Sequence, residues 1–98
     1  MSSPHLSIVI PAYNEEKRLP KTLDTLFTHL PTLGKSYEII ISDDGSRDGT
    51  IPMIERLAKV HPELRLVGDG TNHGRGVAVR NGILQAKGTF VLETDSDG

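Results

Sequence analysis

The sequence contains no cysteine and no tryptophan, and only two tyrosines and two phenylalanines. Disulfides, thiolate metal sites and thiol nucleophiles are therefore excluded, and a core must be built almost wholly from aliphatic side chains. The lack of cysteine is compatible with a reducing cytosol. There is no surplus of positive charge: 11 Lys and Arg stand against 13 Asp and Glu, a net charge of -2. A nucleic-acid backbone would call for a basic patch, so nucleic acid is not an expected partner. Nor is there a long hydrophobic run. The apolar stretch LSIVI near the N-terminus is far short of the roughly 20 residues that span a bilayer and has no basic segment before it, so neither a membrane segment nor a signal peptide is read in this chain. What remains, 98 residues with 36% hydrophobic and 24% charged side chains, is the composition of one small ordered domain.

Four short runs rich in β-branched residues read as buried strands: residues 6–10, 37–41, 64–67 and 89–93. Between them the apolar period becomes helical. Leu19, Leu23, Leu26, Phe27 and Leu30 form one stripe, with Pro20 in its first turn, where a missing N–H costs nothing. Thr50 is the expected N-cap of a second helix carrying Ile54, Leu57, Ala58 and His61 inward. A third helix is expected from about Val77 to Ala86, facing inward through Val79, Ile83 and Ala86 and ending at Gly88 as a left-handed stop. Strands alternating with helices imply parallel strands joined by right-handed crossovers. The predicted fold is α/β, a Rossmann-like open parallel sheet with helices on both faces.

In such a sheet all strand C-termini share one edge, and ligands bind outside it. Glu15 and Glu16 follow the first strand, Asp43, Asp44 and Asp48 the second, and Asp95 and Asp97 the fourth. Carboxylates gathered this way repel unless a cation neutralises them, and oxygen ligands without His or Cys suit Mg²⁺ or Mn²⁺. Turn chemistry accounts equally well for DDGSRDG taken alone. A dinucleotide fold is disfavoured, because the first turn reads PAYNEE where G-x-G-x-x-G would be needed and its glutamates would repel phosphate. Residues 44–55 also fit an EF-hand calcium loop ending in Glu55, although the loop would follow a strand rather than a helix. A non-catalytic nucleotide- or calcium-binding module is thus the alternative function.

VIPAYNEE (9–16), ISDDGSRDGT (41–50), NHGRGVAVRNGILQAKG (72–88) and TDSDG (94–98), in that order, resemble the N-terminal nucleotide-sugar-binding half of family 2 glycosyltransferases of the GT-A fold. Within that family the pattern looks most like the polyprenyl-phosphate sugar transferases, such as the dolichyl-phosphate enzymes. The resemblance implies metal-dependent transfer of a sugar from a nucleotide-diphosphate donor to an acceptor, a polyprenyl phosphate. It also implies a cytoplasmic setting, at the cytoplasmic membrane face in the full-length protein. Pro11, Ala12, Tyr13, Asn14 and Glu15 would hold base and ribose, Asp43 and Asp44 the base edge, and Arg75 or Arg80 the phosphates. Asp95 would serve both donor and metal, with Asp97 as the second metal ligand. No catalytic residue is expected in this chain, which stops just after the D-x-D triplet; alone it is expected to be inactive and to self-associate through an exposed sheet edge.

Overall fold

The computed structural model describes residues 3–96. Its elements follow in the order β1 (Leu6–Ala12), α1 (Leu19–His29), β2 (Tyr37–Asp43), α2 (Thr50–Val60), β3 (Leu64–Val67), α3 (Arg75–Gln85) and β4 (Phe90–Glu93), with a short 3-10 turn, Leu30–Leu33, after α1. The four strands form one parallel sheet in the order β3-β2-β1-β4. All four predicted strands are present. β1 and β2 each run two residues further than the apolar runs suggest, pairing Pro11 with Ser42 and Ala12 with Asp43. These central strands are buried on both sides, which explains their near-continuous apolar sequence.

One face of the sheet presents Ile8, Ile10, Ile39, Ile41 and Leu64 to Leu19 and Leu23 of α1 and Ile54 of α2. Each such aliphatic side chain, fully buried, contributes about 1.5–3 kcal/mol. Pro20 sits in the first turn of α1 as expected. His61, at the end of α2, stacks on Phe27 with ring centroids 3.6 Å apart and planes 7° from parallel. Thr50 is not the cap of α2 but its first residue, with Gly49 in the cap position. The Thr50 hydroxyl instead donates to Asp48 Oδ1 at 2.5 Å and the Thr50 amide to the same oxygen at 2.9 Å, so Asp48 does the capping.

The opposite face carries α3, and here the expected inner residues are wrong. Ala78 and Gly82 are buried, whereas Ile83 is 43% exposed. The helix lies so close to the sheet that a Cβ on Gly82 would stand 2.4 Å from Val9 Cγ1, and the Ser42 hydroxyl donates to the Ala78 carbonyl at 2.5 Å. Small residues permit that approach, and an apolar pattern weighted by side-chain size therefore selects the wrong stripe. α3 also starts two residues earlier than expected, at Arg75. Gly88 is not left-handed. Its need for a missing side chain is steric, since a Cβ there would meet the Ser7 backbone nitrogen at 2.7 Å. Below α3, Glu38 is buried and accepts from the Ser7 hydroxyl (2.6 Å), the Lys87 amide (2.7 Å) and Arg65 Nη2 (2.9 Å), which fastens the α3–β4 connection to the sheet. β4 is the edge strand, with Phe90 58% and Leu92 55% exposed. Among the described residues, no helix is long and apolar enough to cross a membrane.

Candidate functional site

Because every strand is parallel, all four C-terminal ends open on one side, and a cleft of about 270 Å³ lies there. The end of β1 supplies Pro11 and Ala12 to its wall, and the β1–α1 connection Tyr13 and Glu15. Asp44 enters from the end of β2, Arg75 and Ala78 from the start of α3, and Asp95 and Ser96 from beyond β4. Pro11 and Ala12 are buried floor, while Tyr13 is 43% exposed and offers an aromatic surface at the rim.

The two adjacent aspartates of β2 have separate duties. Asp43 Oδ2 accepts the amides of Gly45 (3.0 Å) and Ser46 (2.8 Å), and its Oδ1 accepts the Ser46 hydroxyl (2.6 Å). It shapes the turn and does not line the cleft. Asp44 reaches across to the loop before α3, where its Oδ1 accepts the amides of His73 (2.7 Å) and Gly74 (3.1 Å). Gly74 takes φ +99, a conformation L side chains rarely adopt, and so can present its amide there. Among the described residues Asp44 Oδ2 accepts from Gly74 alone, at 3.1 Å, and keeps acceptor capacity for a ligand. Asn14, at φ 53, turns away from the cleft's lining: its Oδ1 accepts the Arg47 amide at 2.8 Å, joining the two loops beside the site.

Arg75 is, with Arg18, one of two arginines that line the cleft. Its guanidinium pairs with Asp95 and with Glu93 Oε2, the latter at 3.1 Å. The hydrogen bond from Arg75 to Asp95, with the charge behind it, raises the arginine pKa above its ordinary value. Arg80 is exposed on α3 and does not line the cleft. Asp97 lies outside the described residues. Sequence reasoning missed three lining residues, Arg18, Ala78 and Ser96. Arg18 pairs with Glu15 Oε1 three residues before it, a spacing that places two side chains together at a helix start. Ser96 gave no signal beyond being the middle of D-x-D. The calcium-loop alternative fails, because Asp48 caps α2 while Glu55 is exposed on that helix. Among the described residues no three His, Asp or Glu side chains are grouped to hold a metal.

An aromatic rim, a carboxylate on a backbone nest, an arginine and an exposed aspartate thus meet at one sheet edge. Residues 7–98 match the family described as glycosyl transferase family 2. The chain belongs to that family. It is 41% identical over 102 residues to a dolichyl-phosphate beta-glucosyltransferase of Trichomonas vaginalis, covering 99% of this chain and 32% of the relative. The fold is similar to that of a mannosyltransferase from Pyrobaculum calidifontis in complex with GDP-Man and Mn²⁺, with TM-score 0.82, 29% identity, and 99% of this chain and 28% of that one covered. It is also similar to S. aureus TarS 1–349 in complex with UDP, with TM-score 0.81, 32% identity, and 95% and 27% covered. The sheet and its helices are those of a GT-A fold. This family 2 chain spans about a third of the length of the curated relatives it matches.

Proposed function

We propose that this chain is the donor-binding region of a glycosyltransferase that moves a sugar from a nucleotide-diphosphate donor to a polyprenyl phosphate. The observation that carries the reading is the convergence of Tyr13, Asp44, Arg75 and Asp95 on one cleft. Tyr13 offers a face for the base, and the remaining acceptor capacity of Asp44 suits a ring N–H. Arg75 is placed to exchange Asp95 for a donor phosphate, to which a guanidinium binds through paired N–H groups.

A divalent ion fits the chemistry of the residues present. Asp95 is an oxygen ligand at the cleft mouth, and Mg²⁺ or Mn²⁺ commonly takes one or two carboxylates with phosphate oxygens completing its shell. Asp97 is the proposed second ligand. When bound, the ion would neutralise the diphosphate as it leaves. Mn²⁺ beside GDP-Man in the Pyrobaculum calidifontis neighbour supports the choice of metal, and the dolichyl-phosphate relatives support the acceptor; a place at the cytoplasmic membrane face is part of the same proposal. Holding the acceptor in line with the anomeric carbon is worth roughly 7–11 kcal/mol of barrier. None of the lining residues is assigned to that task, so the 98-residue chain alone is proposed to bind donor without transferring sugar.

Calorimetry with UDP and GDP tests the assignment. Mn²⁺ should tighten binding of the preferred nucleotide roughly tenfold or more, and Asp95→Asn or EDTA should abolish that gain. Asp44→Asn should weaken nucleotide binding with or without metal. Equal affinities across all these conditions would overturn the reading.

A further inference from the structure

Ser96 stands in the middle of the Asp95-Ser96-Asp97 triplet, yet it is buried and held from two sides. Its hydroxyl donates to Glu15 Oε2 at 2.7 Å, and its carbonyl accepts from the Thr22 hydroxyl at 2.5 Å. The remaining oxygen of Glu15, Oε1, is taken by Arg18. The Glu15 backbone is equally constrained. Its amide donates to Thr50 Oγ1 at 2.9 Å, and its carbonyl accepts the Leu19 amide at 2.9 Å. Glu15 is 7% exposed, and each of its carboxylate oxygens already accepts a hydrogen bond from within the protein.

We infer that Glu15 is a positioning residue for the D-x-D turn, acting through the Ser96 hydroxyl, and that Thr22 of α1 fixes the same turn from its other side. The inference rests on the donor-binding reading and adds this role for Glu15 within it. Asp95 and Asp97 are the immediate chain neighbours of Ser96, so a shift of that one peptide moves both proposed ligands together. Mg²⁺ and Mn²⁺ sites tolerate little such movement, because a near-octahedral shell at about 2.0–2.1 Å fixes where each oxygen must be. An alanine at position 96 would trace the same chain path but could not donate. The serine ties the metal ligands on one strand end to the loop that follows β1, 81 residues earlier.

The test is Mn²⁺ binding followed by electron paramagnetic resonance in the presence of UDP or GDP, alongside metal-free nucleotide binding, on the full-length protein. Ser96→Ala and Glu15→Ala should each weaken Mn²⁺ binding roughly tenfold, the loss typical when a group that orients a metal ligand is removed. In Ser96→Ala metal-free nucleotide affinity should stay within about twofold, since the proposed base and phosphate contacts are untouched. Glu15→Gln retains an oxygen to accept the Ser96 hydroxyl and should rescue most of the loss. The Ser96→Ala/Glu15→Ala pair should be no worse than Glu15→Ala alone. Unchanged Mn²⁺ affinity in Ser96→Ala, with the wild type binding normally, would overturn the inference while sparing the donor reading. So would an equal loss of metal-free nucleotide binding in Ser96→Ala. A wild type that binds Mn²⁺ with neither nucleotide would overturn the donor reading and this inference with it.

Discussion

Glu38 places a charge where the face of a central strand would ordinarily hold an aliphatic residue, and it is tolerated because both its oxygens accept hydrogen bonds. Burial raises its pKa, but the bonds from Ser7, the Lys87 amide and Arg65 outweigh that and hold it below the ordinary value of 4.5. Its contribution to stability is therefore present in full above that value and lost as pH falls through the lower folded-state pKa. Glu38→Gln, which turns an acceptor into a donor facing Arg65 or the Lys87 amide, should cost about 2–3 kcal/mol at pH 7. In urea titrations the gap to wild type should narrow between about pH 5 and pH 3. At this scale the sequence was informative where chemistry is unusual and silent where it is shared. Tyr13, Asp44 and Asp95 were found because aromatic and acidic residues at strand ends are conspicuous. Which of Asp43 and Asp44 faces the cleft depends on a turn whose hydrogen bonds are invisible in one dimension. Arg75 and Arg80 were equivalent on paper, and only the closeness of α3's first turn to β4 separates them.

Among the elements, α3 shows best what patterning conveys and what it misses. The strands, and the helices α1 and α2, follow from β-branched runs and from apolar stripes of large residues, because large residues are what those elements bury. α3 buries alanine and glycine, which no hydrophobic period reports. Glycine in a helix interior costs up to about 1 kcal/mol relative to alanine, so Gly82→Ala would stabilise an isolated helix. Here the new methyl would meet Val9, a fully buried β-branched side chain with no freedom to withdraw. Overpacking of that kind costs about 1–3 kcal/mol and outweighs the helical gain. Gly82→Ala should thus be net destabilising by about 1 kcal/mol in thermal or urea unfolding, and Gly82→Val by considerably more.

For the molecule as a whole, the proposed ligand would bridge the ends of β1, β2 and β4 and the start of α3, and so would act as a clasp on the entire sheet. At a hundred times its dissociation constant, a nucleotide bound with Mn²⁺ should add about 2.7 kcal/mol to stability. For a domain of this size that raises Tm on the order of 10 °C, and EDTA should remove about half of the shift or more while leaving the metal-free protein folded. The strand order has a further consequence, for the sequence of events during synthesis. β1 is synthesised 84 residues ahead of β4, yet one of its flanks pairs with it: Leu6 with Phe90 and Val9 with Glu93. At translation speeds of 5–20 residues per second that flank stands open for roughly 4 to 17 s, its backbone groups available to any other extended chain. Asp95 and Ser96 emerge only after β4, so the proposed metal ligand and the residue that ties its turn to Glu15 follow every other described part of the cleft. A nascent chain therefore lacks the proposed metal ligand Asp95 until β4 has been made.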